Sequence, residues 1–283
     1  MKPLTFLAVH AHPDDEASST GGLYRLLHEQ GVRTVLVTCT NGEYGDTPEG
    51  VKPLGEGHEP DEVAALREVE LDLAVEILGI SRLVRLGYRD SGMIGWPQND
   101  DAGSFWSTPV AVAAARLFAV LAEERPEVIV TYNEVGFYGH PDHIQAHRIT
   151  RAAMSMLDYE PTLYYNTIPD SVMMIYRARW EQEERERREA DAQKGVVHRV
   201  PEVEDEVEMG TPDDLIDVDV DVSSVNEYKF DALAAHASQI AGSFWMKMGR
   251  EQFKAVMRDE WFVRATNPLG LGERAADIFV GYR

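Results

Sequence analysis

"LAVHAHPDDEASSTGG", residues 7–22, begins as an uninterrupted apolar strand and then sets down two histidines, a proline, two aspartates and a glutamate between His10 and Glu16. Short apolar runs of this kind recur at Thr5–Val9, Thr34–Thr38, Arg82–Leu86, Val128–Tyr132 and Leu163–Thr167, separated by segments of helical period. That alternation predicts βαβ units and a parallel sheet. Helices are expected around Leu23, Leu26 and Leu27, around Leu66, Leu73 and Ile77 with a stop at Gly79, and over "VAVAAARLFAVLAEERP" up to Pro126. A fourth covers "HPDHIQAHRITRAAMSML", with Pro141 in its first turn, where a missing N–H is no loss. The fold class read from this is α/β, a Rossmann-like parallel-sheet sandwich with helices on both faces over residues 1–170. A smaller C-terminal α+β lobe, residues 171–283, is expected to pack on the same domain.

Beyond residue 170 the texture changes. "RARWEQEERERREADAQK" reads as a solvated helix held by i,i+4 Glu/Arg pairs, and "PEVEDEVEMGTPDD" as an exposed acidic loop. "LIDVDVDV" alternates strictly, so it is a half-buried strand with its aspartates on the wet face, an arrangement that does not wrap a calcium ion as a loop would. From "NEYKFDALAAHASQI" through "GREQFKAVMRDEWFVRA" to "DIFVGYR", the end reads as two helices and a last strand.

The 283 residues suffice for a full core, and a formal charge of -22 with no basic patch argues against nucleic acid or an anionic membrane surface as partner. The single cysteine, Cys39, lies in the apolar run "TVLVTCTNGE" and reads as a small core residue. No stretch of about eighteen apolar residues occurs, and the N-terminal run is too short for a secretory signal, so a cytoplasmic protein is expected. The sequence leaves the oligomeric state open, a homo-oligomer included.

In a doubly wound sheet, ligands gather at the carboxyl ends of the strands. "HAHPDDE" ends the first strand and "NEVGFYGHPDH" follows the fourth, so two His-Pro-Asp clusters occupy equivalent positions. Alone, "HPDDE" could be an ordinary helix entry, with Asp14 or Asp15 capping and Glu16 complementing the dipole. A matching "HPDH" makes capping a poor account of the histidines. A His and an Asp from the first cluster with a His from the second would supply a three-residue metal site with an open position for water. His10, still within the strand, reads as a satisfied core residue or a support behind the ligands. No G-x-G-x-x-G follows the first strand, which disfavours a nucleotide binder.

Strand-"AHPDDE" with a downstream "GHPDH" resembles the PIG-L-type (LmbE-like) zinc-dependent N-deacetylases. "TCTNGEYG", "LREVELDLAVEILGI", "YRDSGM" and "LAAHASQI" extend the resemblance over most of the chain outside residues 170–215, and look most like the actinobacterial mycothiol branch. The resemblance implies hydrolysis of the N-acetyl amide of an N-acetylglucosamine-bearing small molecule. It implies that His12, Asp15 and His143 bind Zn2+, or Fe2+, which the same donors suit. Asp14 would be the general base, His140 would stabilise the oxyanion and, if protonated, supply a proton, Asp142 would fix a histidine tautomer, and Tyr138 would donate to the tetrahedral intermediate. Arg67 and Asp90 match positions that grip sugar hydroxyls, a structural salt bridge being the alternative for each. Glu43 would lie at the pocket rim, and His236 would support the site from behind or touch the inositol side.

The chain also departs from that branch. Asn133, Val135 and Phe137 replace the usual Asp, Asn and Gly before "YGHPDH", and Ser19 stands where the sister conjugate amidase tends to carry lysine. Ser19 favours the deacetylase. The alternatives are cleavage of a larger amide, as by that amidase, and a non-catalytic sugar-binding relative, against which intact Asp14 and His140 argue.

Overall fold

The computed structural model describes residues 3–193, 209–266 and 274–283 of the chain. Seven strands form one sheet in the order β3-β2-β1-β4-β5-β7-β6. The first five, β1 (Thr5–His10), β2 (Arg33–Thr40), β3 (Arg82–Tyr88), β4 (Val128–Thr131) and β5 (Thr162–Thr167), run parallel. All six residues of β1 are buried, as a central parallel strand covered on both faces requires. Phe6 and Ala8 point into one apolar cluster, and Leu7 and Val9 into the other.

The first cluster lies under α1 (Asp15–Glu29) and α2 (Pro60–Leu78), which add Leu23, Leu27, Leu71 and Leu78. The second lies under α3 (Val110–Glu124) and α5 (Pro141–Met154), which add Leu117, Leu121, Ala146 and Ile149. Cys39 is free and buried in this second cluster. Between β4 and α5 sits a single helical turn, α4 (Gly136–Gly139). Gly79 in the left-handed conformation ends α2, and Pro141 occupies the first turn of α5, as the spacing predicts.

The chain continues through α6 (Asp170–Gln193), β6 (Val218–Asp221), α7 (Asn226–Ala235), the short α8 (Ala237–Ile240) and α9 (Phe244–Lys247), α10 (Gly249–Val256) and β7 (Asp259–Arg264). β7 pairs antiparallel with β5 and with β6, so the sheet is mixed rather than wholly parallel. Val218, Val220 and Val222 of "LIDVDVDV" enter the first cluster together with Leu233, Phe253 and Phe262. That cluster therefore draws on both sides of residue 170. The first eight residues of "PEVEDEVEMGTPDD" lie outside the described residues.

The last strand is not where the sequence pattern put it. "DIFVGYR" forms turns, with Ile278 and Phe279 buried and Gly281 at a φ of 90°, whereas the strand is "DEWFVR", expected as the tail of a helix. α10 stops at Val256, after which Glu260 and Phe262 face inward in alternation, a strand period within a segment too short to betray it. No helix among the described residues is long and apolar enough to cross a membrane.

Candidate active site and metal centre

β2 and β3 lie to one side of β1, and β4 and β5 to the other, so the chain reverses its winding between β1 and β4. The loops after these neighbouring strands open there, and this brings "HPDD" and "HPDH" together across 124 residues of intervening sequence.

Three atoms converge. His12 Nδ1 lies 3.3 Å from His143 Nε2 and 3.4 Å from Asp15 Oδ2, and the third edge, His143 Nε2 to Asp15 Oδ2, is 3.6 Å. Ligands held about 2.1 Å from a tetrahedral ion stand roughly 3.4 Å apart, so the triangle has the size of one face of such a site. Burial pushes the His143 pKa down to about 4, which keeps the ring a neutral donor. Burial would raise Asp15, but His143 and His12 hold its carboxyl well below the usual range. A neutral imidazole and a carboxylate are the donors a divalent cation requires. His140 also brings a ring nitrogen within 4.8 Å of His12 and His143. Its Nδ1, however, accepts the Asp142 N–H at 3.1 Å, capping α5, and Asp15 supplies the charge the histidines lack.

On its other edge, His12 Nε2 faces Asp142 Oδ2 at 3.3 Å and Asp90 Oδ1 at 3.8 Å. Burial opposes a charge on His12, yet Asp90, Asp142 and Asp15 together hold its pKa well above the ordinary value. Asp142 also accepts from the backbone N–H of Ser91 at 2.9 Å and from its hydroxyl, so the carboxylate that orients His12 is itself fixed. Because His140 Nδ1 is an acceptor, the proton of its neutral ring sits on Nε2. Burial, then His12 and His143, hold that ring well below the usual pKa. Tyr132 stacks on His143 with centroids 4.0 Å apart, and Tyr138 meets the same ring edge-on at 4.9 Å.

The adjacent aspartates diverge because Asp14 adopts a φ of 115°, a conformation L residues rarely hold. Asp14 stands at the N-cap position of α1 without capping it. Its Oδ2 accepts from Arg67 Nη2 at 3.0 Å, and its N–H donates to Glu16 Oε2 at 3.0 Å. Burial, with Asp15 beside it and against Arg67, pushes the Asp14 carboxyl up to about 6. The two Arg67 Nη groups also donate to the carbonyls of Gly42, at 2.7 Å, and Pro13. Gly42 is required there, since a Cβ would run into that guanidinium.

A pocket of about 210 Å³ is lined by His12, Asp14, Asp15, Arg67, Asp90 and His140, with Tyr44, Trp96, Tyr138 and Gln239 among its other walls. Asp142 and His143 lie directly behind the lining through the contacts above. Glu43 and His236 are not among the lining residues. Glu43 accepts the Asp90 N–H at 3.0 Å and faces Arg89 at 3.3 Å. His236, where α7 turns into α8, is buried and meets Glu16 Oε1 at 2.6 Å. His10 is buried between Thr20 Oγ1 at 2.9 Å and the Tyr132 hydroxyl at 3.3 Å, as a satisfied core histidine should be. Sequence reasoning missed Tyr132 altogether. It missed the parts of Ser91 and Gln239 too, although both stand in quoted motifs: Gln239 clamps Asp46 through its N–H at 3.1 Å and its carbonyl at 2.9 Å.

The family model described as PIG-L, GlcNAc-PI de-N-acetylase, matches residues 7–154. A 1D-myo-inositol 2-acetamido-2-deoxy-alpha-D-glucopyranoside deacetylase of Acidothermus cellulolyticus is 40% identical, over 98% of this chain and 94% of that protein. One of the same name from Streptomyces griseus is 38% identical, over 97% of this chain and 88% of that protein. Among solved structures, N,N'-diacetylchitobiose deacetylase from Pyrococcus horikoshii shares the fold with a TM-score of 0.60 at 17% identity, covering 93% of this chain and 84% of that one.

Proposed function

The chain belongs to the PIG-L family, and from that premise we propose that it hydrolyses the N-acetyl amide of a small N-acetylglucosamine-bearing glycoside, releasing acetate and a free amine. The observation that carries the reading is the triangle of His12 Nδ1, Asp15 Oδ2 and His143 Nε2, with a second carboxylate, Asp14, beside it and turned away. In this reading the three residues hold Zn2+, and the same donors suit Fe2+. When bound, such a cation supplies Lewis acidity, acidifying water and polarising the scissile carbonyl.

The protein's own groups do the rest. Asp14 takes the proton of the attacking water and returns it to the leaving amine, held in place by Arg67 and by the strap from its N–H to Glu16. His140, neutral with its proton on Nε2, donates to the developing oxyanion rather than acting as an acid. Tyr138, a wall of the same pocket with its ring 6.0 Å from that of His140, is a second donor. Asp142 keeps the His12 ring turned to the triangle. Asp90 accepts from the sugar hydroxyls, Glu43 steadies it through its N–H, and Arg67 serves the base more than the sugar. The reading goes with a cytoplasmic enzyme acting on a small amino sugar, with no nucleic-acid or membrane partner.

Protein dialysed against Zn2+ and supplied with N-acetylglucosamine glycosides, inositol-linked ones first, should hold one divalent ion per site and release amine. Absence of a stoichiometric ion, or of amine from every glycoside, overturns the reading.

A further inference from the structure

Behind Tyr138 lies a second cavity, of about 290 Å³, walled by Tyr138, Phe137, Met173, Trp245, Met257 and Trp261. Tyr138 is also a wall of the catalytic pocket, and Ser18 and Ser19, three and four residues after Asp15 on α1, line the new cavity. The two spaces are thus neighbours across one phenol ring. Protein interiors are close-packed, and an engineered apolar void of about 150 Å³ already binds benzene, so a space this size beside reacting groups is room for a ligand. Met173 and Met257 are side chains that adapt to an occupant's shape. Asn166, buried on the same wall, has an Oδ1 with no donor among the described residues, a polar anchor the fold leaves unused.

A sugar is a poor occupant: most of the wall is aromatic, aliphatic or thioether, and of the charged residues that also line it Lys229 and Glu260 are joined to each other at 2.6 Å, leaving Asp259. The polyol half of the substrate is served by the catalytic pocket, with Asp90, Tyr44 and Gln239 on its walls. The other half of the scissile amide is its acyl group. Resting on the N-deacetylase reading above, we infer that the cavity receives that acyl group, and that the substrate class includes amino sugars N-acylated with an apolar chain longer than acetyl. The reaction is unchanged. Water's oxygen joins the acyl carbon, the C–N bond breaks, and the amine gains the proton that Asp14 carried.

Each methylene moved from water into an apolar site is worth about a four-fold gain. The test compares hydrolysis of the N-acetyl and N-hexanoyl amides of methyl glucosaminide by the Zn2+-loaded protein. The expected kcat/KM is at least ten-fold higher for hexanoyl. Filling the cavity with Met173→Trp, or from its edge with Ser19→Phe should the first not fold, removes that preference and leaves acetyl hydrolysis within two-fold. Hydrolysis of acetyl with hexanoyl less than ten-fold faster, or an equal fall of both in the filled variants, overturns the inference and leaves the deacetylase reading standing. Should neither amide be cleaved, that reading fails instead, and titration with hexanoate decides the cavity. A saturable change in the fluorescence of Trp245 and Trp261 that Ser19→Phe abolishes supports it, and no change overturns it.

Discussion

His236→Ala should destabilise the protein and slow it by one route, through Glu16. Both side chains are fully buried, with 0% exposure, and joined at 2.6 Å. Burial opposes the charge on each, but the pair holds Glu16 below and His236 above their ordinary pKa values, so the contact is charge-assisted. Removing the imidazole strands a carboxylate whose one other hydrogen-bond partner among the described residues is the Asp14 N–H. Breaking a buried pair in this way costs about 3–5 kcal/mol. At roughly 2–3 °C per kcal/mol for a chain of this size, Tm should fall by about 6–15 °C.

The sharper expectation is the double variant. Glu16→Gln/His236→Ala removes the stranded charge and should be about 1–3 kcal/mol more stable than His236→Ala alone, a non-additivity that loss of packing does not produce. Thermal unfolding followed by circular dichroism measures both. In the same proteins Glu16 is no longer held by His236, so the strap from the Asp14 N–H that steadies its φ of 115° is loosened, and kcat should fall about 10–100-fold while KM stays within two-fold. A Tm within 2 °C of wild type for His236→Ala, or a double variant no better than the single, would refute the reasoning.

Asp14→Asn should lower kcat by about 10²–10⁴ with the bound ion retained, checked by steady-state assay beside metal analysis. Gly136→Ala should weaken metal binding at least ten-fold in competition with a chelator, because Gly136 has a φ of 66° and an added Cβ would meet His143 Cβ at 2.9 Å and the Ile144 nitrogen at 2.8 Å. Far from the site, Arg33 and then Arg82 hold Glu124 at about 2, below its ordinary 4.5. A depressed carboxylate stabilises above its unfolded pKa and stops doing so as pH falls through the folded one. The Tm gap between wild type and Glu124→Gln should therefore be full above pH 5 and close between about pH 4.5 and 2, as thermal melts across that range will show.

The parts legible in advance share a physical cause. β1 announces itself because a central parallel strand is buried at every position and runs apolar from Phe6 to Val9, and the helices around it carry a stop in Gly79 and a start in Pro141. β7 was hidden because "DEWFVR" is half-buried and follows a helix of eight residues, so neither period runs long enough to be counted. "DIFVGYR" misled by composition, since its buried Ile278 and Phe279 pack from a turn as well as they would from a strand. His236 and Glu43 reached the candidate site by motif. Burial put each one step behind it, acting through Glu16 and Asp90.

What the sequence by itself determined is the chemistry on offer: two His-Pro-Asp clusters at the ends of two strands, on a strongly acidic chain. Those are local facts, written in adjacent residues. Only the tertiary structure decided which atoms meet. It turned Nδ1 of His12 toward Asp15 and Nε2 toward Asp142, and it bent Asp14 away from its neighbour at the expense of an unusual backbone angle. It also walled a cavity behind Tyr138 with Phe137, Met173, Trp245 and Trp261, from four separate parts of the chain. No spacing rule links such residues, because what joins them is the winding of the sheet.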